Sequence, residues 1–210
     1  MDAGLDTAVR MQSAPMDRPS EDEDQSLMLA YAHGDVRAFE RLYDRHKGAT
    51  YRYFLRHADG HAATAEELHQ DLWLKVVGAR GQYAPLARFT TWLYTLARHR
   101  LADHWRSRSG VELASLQDEA IAGEAESASP ATERPDDDPL QASIDAQARE
   151  RLVRSLQGLP VLQRDAFLLH VEGGLSVEEI GALCGTSAET IKSRLRYAYR
   201  RLRAALGKRP

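Results

Sequence analysis

The chain has 210 residues, 43% of them hydrophobic and 28% charged, with a net charge of −3 and one cysteine. A single cysteine, Cys184, excludes an internal disulfide and any cysteine-based zinc site. No stretch is apolar enough for a signal peptide or a membrane span, so a soluble, cytoplasmic protein without membrane insertion is expected.

The average charge hides an uneven distribution. Residues 1–24 carry net −5, 25–110 carry +5, 111–148 carry −9 and 149–210 carry +6. Two basic modules are thus separated by an acidic connector and preceded by an acidic tail, which points to a polyanionic partner that the whole-chain value conceals.

Residues 1–24 end in the run Glu21-Asp22-Glu23-Asp24 and read as a disordered acidic tail. A helical domain is expected over 25–108, long enough for one small core. Leu27, Leu29, Ala30 and Ala32 precede the break at Gly34-Asp35. A second helix carries Phe39, Leu42, Tyr43 and His46 and continues through Tyr51, Phe54 and Leu55 to Asp59-Gly60. The third starts near Thr64, with Glu67 completing a capping box, and buries Leu68, Leu72, Trp73 and Val76. Gly78 to Pro85 is a loop. His57 and His61 straddle Asp59-Gly60, a poor arrangement for a shared metal ion.

The fourth helix runs from about Ala87 to Arg106. With Phe89 at zero, Leu93 and Leu96 fall within about 40° and Trp92 about 60° away, a core face, while Tyr94, Arg98 and Trp105 gather opposite. Aromatics interleaved with arginine suit unpaired nucleic acid, because bases stack and phosphates need cations. The alternative is that Tyr94 and Trp105 cover a neighbouring helix or the connector.

Residues 109–148 read as a flexible acidic linker, too polar and too rich in proline to bury a core. In the last module, 149–210, Val177, Ile180 and Cys184 recur on one helix and Ile191, Leu195, Ala198 and Leu202 on another, joined at Cys184-Gly185-Thr186. Cys184 on this seam is a small core residue rather than a nucleophile. Thr186 and Glu189 read as a capping box that opens the second helix. Opposite its seam lie Glu189, Ser193, Arg196 and Arg200, with Lys192 on the flank. This is the layout of a helix-turn-helix whose second helix can enter the DNA major groove. A basic, solvated helix that only packs is the alternative. The fold class is all-α, with two small helical domains joined by the linker.

Several runs together resemble a known family. Asp24-Gln-Ser-Leu-Met-Leu-Ala-Tyr-Ala-His-Gly-Asp35, Ala38-Phe-Glu-Arg-Leu-Tyr43, Ala65-Glu-Glu-Leu-His-Gln-Asp-Leu-Trp73 and Phe89-Thr-Thr-Trp-Leu93 with Ala97-Arg98 and Asp103 are similar to the promoter-melting domain of the extracytoplasmic-function, or group IV, sigma factors of the sigma-70 family. Leu159-Pro160, Gln163-Arg164, Glu172-Gly-Gly-Leu-Ser-Val-Glu-Glu-Ile180 and Thr190-Ile-Lys-Ser-Arg-Leu195 are similar to their C-terminal domain.

The resemblance implies that 25–108 is sigma region 2 and 149–210 sigma region 4, and that the chain directs RNA polymerase to promoters. It assigns −35 element reading to Ser187, Glu189, Thr190, Lys192, Ser193, Arg194 and Arg196, with Arg200 added from the helix face. It assigns −10 reading and capture of an extruded base to Arg80, Tyr83, Arg88, Thr91, Trp92, Tyr94 and Arg98. Docking on the polymerase beta-prime clamp helices falls to Glu67, Gln70, Asp71 and Leu74. His69 and His99 depart from the family pattern at two of these contacts. Core polymerase, promoter DNA and an anti-sigma factor are the implied partners. No cofactor, metal or catalytic residue is expected, and the chain is not expected to be an enzyme. The competing readings are a two-domain helix-turn-helix regulator that binds duplex without polymerase, and an adaptor whose helical modules bind only proteins.

Overall fold

The computed structural model describes residues 21–109 and 150–206. Residues 1–20 of the expected tail, and 110–149, which hold nearly all of the expected linker, lie outside the described residues. All regular structure in the described residues is helical: α1 (Glu21–Ala32), α2 (Val36–His57), α3 (Ala62–Ala79), a 3-10 turn (Arg80–Gln82), α4 (Phe89–Ser109), α5 (150–157), α6 (Val161–Val171), α7 (Val177–Cys184) and α8 (Ala188–Leu206).

In the N-terminal unit, α1 and α2 form an antiparallel pair about the turn at Gly34-Asp35. Asp35 caps α2 by accepting from the amides of Arg37 (3.0 Å) and Ala38 (3.3 Å). Asp59 and Gly60 at φ 53° and 87° end α2 where the sequence places the break. On α3, Ala65, Leu68, His69, Leu72, Trp73 and Val76 are buried, the three- and four-residue spacing of a single packed face. They meet Leu42 and Phe54 of α2 and Phe89, Leu93, Ala97 and Leu101 of α4, and burying each large apolar side chain contributes about 1.5–3 kcal/mol. Phe39 and Tyr43 pack on Trp73, with ring centroids 5.9 and 5.0 Å away.

Three local expectations are corrected. The tail does not extend to residue 24, because Glu21 to Asp24 form the first turn of α1. Asp24 is buried and pairs with Arg45 and with His46 (2.8 Å) of α2. Burial pushes its carboxyl upward, but His46 and Arg45 outweigh this and hold it below the usual carboxylate range. Thr64 and Glu67 form no capping box. The Asp59-Gly60 turn delivers the chain in extended form at His61, so α3 begins at Ala62. Nor does Thr186 cap α8. Its amide closes α7 by donating to the Gly181 carbonyl (2.9 Å) beside left-handed Gly185 (φ 65°), and Ser187 Oγ takes the capping role by accepting from the Thr190 amide (3.1 Å).

The C-terminal unit is built around α6. From Arg164 to Leu169 every residue of α6 is buried, a pattern that a helix shows only when it is covered all round. Helices α7 and α8 cover one side and α2 of the N-terminal unit covers another. Leu175, Ile180, Cys184, Ile191, Leu195, Ala198 and Leu202 complete this core. Burial pushes the Cys184 thiol up to about 11, as expected for a core residue rather than a nucleophile. Among the described residues, no helix is long and apolar enough to cross a membrane.

Candidate nucleic-acid interface

The helix-turn-helix follows from local chemistry. Ser176 and Glu179 form a reciprocal capping box that starts α7, a Ser-x-x-Glu signal carried by the sequence itself. Gly181 sits where the turn folds back, and a Cβ there would lie 3.0 Å from the Thr186 carbonyl oxygen. Because Ile191, Leu195, Ala198 and Leu202 hold α8 against the core, Glu189, Lys192, Ser193, Arg196 and Arg200 project to solvent along one stripe. Ser187 is exposed at the start of the helix, its hydroxyl 2.9 Å from that of half-buried Thr190. Arg194 is half-buried on the flank. Arg200 and Arg201 lie over the Tyr197 ring, 5.2 and 5.9 Å from its centroid. Tyr199 and Arg203, absent from the expected set, line a groove with Arg196 and Arg200, and Tyr199 rests edge-on against Phe167.

On α3, Glu67, Gln70, Asp71 and Leu74 share one outward face, with Leu74 67% exposed. Arg100 of α4 donates to Asp71 (2.6 Å) and Glu67 (3.2 Å) and so pins the edge of that face. His69 points inward instead, 3.1 Å from Thr50 Oγ1, and accepts from the Trp73 indole at 3.0 Å. Its departure from the family pattern is therefore a core matter. His99 is exposed.

The residues expected to read the −10 element divide into two groups. Arg80 lies over Tyr31, while Tyr83 packs on Phe89 and Trp92, the rings of Tyr83 and Trp92 being 5.0 Å apart. Arg88, just ahead of α4, and Thr91, Tyr94 and Arg98 on it run along another face, and there the structure corrects the expectation of an open aromatic–arginine surface. Tyr94 is 1% exposed and stands perpendicular to Tyr53, 5.4 Å away. Trp105 covers His57. These aromatics cover neighbouring helices, the alternative that the sequence left open.

What lies over this face is the C-terminal unit. Arg88 and Thr91 donate to Glu179 at 3.1 and 2.6 Å, and Arg98 donates to Asp165 at 3.0 Å. The Tyr53 hydroxyl donates a hydrogen bond to Asp165 at 2.9 Å, and Arg52 (2.9 Å) and Arg56 both pair with Glu172. Burial alone would raise the Asp165 carboxyl, but His57 and Arg98 beside it bring it down to about 2. Desolvation drives His57 the other way, below the usual histidine range. At neutral pH the buried centre is thus a carboxylate, a guanidinium and a neutral imidazole. Sequence reasoning missed this cluster, although one signal was present: α6 is apolar on almost every side, so its acid, Asp165, required a buried partner.

Two family descriptions match: "Sigma-70 region 2" over residues 42–111 and "Sigma-70, region 4" over 149–202. The RNA polymerase sigma factor CarQ of Myxococcus xanthus is 35% identical over 86% of this chain and 95% of its own length. The ECF RNA polymerase sigma factor SigK of Mycobacterium sp. (strain KMS) is 34% identical over 86% and 89%. Among solved structures, CnrH in complex with the cytosolic domain of CnrY aligns over 89% of this chain and 98% of that one, with a TM-score of 0.60 and 21% identity, a likeness of fold. The sigma factor RpoE in complex with the anti-sigma factor NepR from Bartonella quintana aligns over 82% and 98%, with a TM-score of 0.60 and 23% identity. A helix-turn-helix with a basic outward stripe, a second helical unit ahead of it, and these relatives across nearly their full lengths agree: the chain belongs to the extracytoplasmic-function RNA polymerase sigma factors.

Proposed function

We propose that this sigma factor grips a promoter at two places while seated on core polymerase. The −35 element is read by the stripe of Ser187, Glu189, Thr190, Lys192, Ser193, Arg194, Arg196 and Arg200. The single observation that carries this reading is that the buried seam of α8 leaves these basic and polar side chains on its solvent side. Arg196 can grip a guanine edge or a phosphate, and Glu189 can accept from a cytosine amine.

Strand opening is assigned to the N-terminal unit. Separating a promoter costs about 1.4 kcal/mol per stacked step, so a protein that opens it must bind single strand better than duplex. Arg80, Tyr83, Arg88, Thr91, Trp92 and Arg98 supply cations and rings for that task, and Tyr94, buried against Tyr53 and beside Gly173, joins them only when the C-terminal unit moves away. The Glu67, Gln70, Asp71 and Leu74 face docks on the polymerase clamp helices, its exposed leucine offering an apolar anchor inside a polar rim. The protein acts by binding, in the cytoplasm where transcription takes place, and transfers no chemical group of its own. The complex of RpoE with the anti-sigma factor NepR supports an anti-sigma factor as a further partner.

Footprinting tests the two-site grip. Holoenzyme should protect two promoter patches, and Arg196→Ala should lose the upstream one. Equal protection by the sigma factor alone on duplex DNA would favour a conventional helix-turn-helix regulator instead.

A further inference from the structure

The contact between the two units has an unusual electrostatic composition. Residues 25–110 and 149–210 carry net charges of +5 and +6, so the two halves repel as whole bodies. Yet of the six acidic residues in 149–210, three, Asp165, Glu172 and Glu179, lie on this single contact, and all three face cations of α2 and α4. Their side chains are 2%, 5% and 20% exposed. Each carboxylate accepts from donors that could equally hold a phosphate: Glu179 from Arg88 and Thr91, Asp165 from Arg98 and Tyr53, and Glu172 from Arg52 and Arg56.

The same contact is poorly finished. His57 Nδ1, the Tyr94 hydroxyl, Gln163 Oε1 and Arg164 Nε are buried without a hydrogen bond, and His57 Nε2 reaches Asp165 only at 3.4 Å. Unmet buried polar atoms weigh against a permanent core and suit a surface that opens. At its far edge, Arg164 donates to the Arg56 carbonyl (3.2 Å) and to Asp59 Oδ1 (2.6 Å), and Gln157 donates to the Asp59 carbonyl (2.8 Å). Those bonds use the chain end left by α2, so they align the closed units.

We propose that the contact is an autoinhibitory clasp, in which Asp165, Glu172 and Glu179 occupy the cationic face of α2 and α4 in place of nucleic-acid phosphates until the units part. The clasp rests on the reading of Arg88, Thr91 and Arg98 as −10 contacts. It makes the free chain a weak binder of single strand, because only the open fraction can bind and the apparent affinity falls in proportion. Polymerase binding that separates the units would expose the face where it is needed.

The test uses the full chain and a labelled, mixed-sequence single strand of roughly 12 nucleotides. A triple variant, Asp165→Asn with Glu172→Gln and Glu179→Gln, should show a larger radius by X-ray scattering and bind the strand about tenfold or more tightly than wild type. Glu40→Gln with Glu66→Gln and Glu178→Gln makes the same charge change at exposed positions, and should gain no more than about threefold. Helical circular dichroism checks folding, and the Glu172→Gln/Glu179→Gln pair repeats the test with buried Asp165 intact. An unchanged radius in both acid variants, or an equal affinity gain in the control, overturns the clasp. Adding Arg88→Ala and Arg98→Ala to the opened variant separates the two readings. Loss of strand affinity there upholds the −10 assignment, whatever the acids do. An opened chain that gains no affinity and is indifferent to both arginines overturns clasp and assignment together.

Discussion

Gly173 follows α6 and adjoins the contact between the units, so replacing it with alanine probes the packing there. A Cβ at this position would lie 2.6 Å from the Leu169 carbonyl oxygen, 2.7 Å from Leu175 Cδ1 and 3.2 Å from Tyr94 Cδ2. The leucine and tyrosine can shift, but the backbone oxygen cannot rotate away. That oxygen also accepts the Leu175 amide at 3.3 Å, a bond that helps to close α6, so the clash strains the helix end. Overpacking costs about 1–3 kcal/mol, and a backbone clash belongs in the upper half of that range. In a unit of roughly 60 residues each kcal/mol moves the melting temperature by about 4–8 °C, so a loss of about 10 °C or more is expected by calorimetry of the full chain. Gly78→Ala is the control. A Cβ there meets nothing within 4 Å inside α3, and alanine should leave the melt unchanged or raise stability by up to about 1 kcal/mol. If Gly173→Ala melted within about 2 °C of wild type while Gly78→Ala behaved as expected, the described junction of α6, Leu175 and Tyr94 would be wrong.

Arg196→Ala should weaken upstream-element binding by about 1–3 kcal/mol and alter selectivity among promoters; an equal loss on every sequence would demote it to a phosphate contact. Asp71→Arg should impair polymerase binding in a pull-down while leaving duplex affinity unchanged, and normal transcription would remove the docking assignment. Acidification should destabilise the fold in two stages. His57 is held neutral in the folded chain, so stability falls as pH drops below 6.5 and the unfolded chain takes up its proton. Asp165 is depressed to about 2, so its contribution is present above 3.8 and is lost as pH falls through about 2. Urea titrations at several pH values should show His57→Gln with a shallower loss between pH 7 and 5.5, and an unchanged slope would contradict the buried-imidazole account.

The parts of the fold that the sequence displayed are those set by neighbours three or four residues apart. The α8 seam of Ile191, Leu195, Ala198 and Leu202 defines the face left to solvent, and the structure places those residues inside. Asp59-Gly60 ends α2 because its backbone conformation is local. Contacts between distant residues were not legible. Asp24 resembles part of a solvated tail until Arg45 and His46, more than twenty positions on, supply its partners. Tyr94 and Arg98 occupy the side of α4 expected from its periodicity, but no spacing rule reveals that Asp165 and Gly173 cover them. Glu172 and Glu179 were visible only as parts of a motif, and their opposing arginines lie some 90 to 120 residues earlier.

The central claim is that this chain confers a start point on RNA polymerase, and run-off transcription with mapped 5′ ends measures it directly. Core polymerase with the purified protein should initiate at defined positions downstream of a two-element promoter, while core alone should give none. The absence of any discrete start site on genomic templates, with the protein folded and bound to core polymerase, would contradict the account.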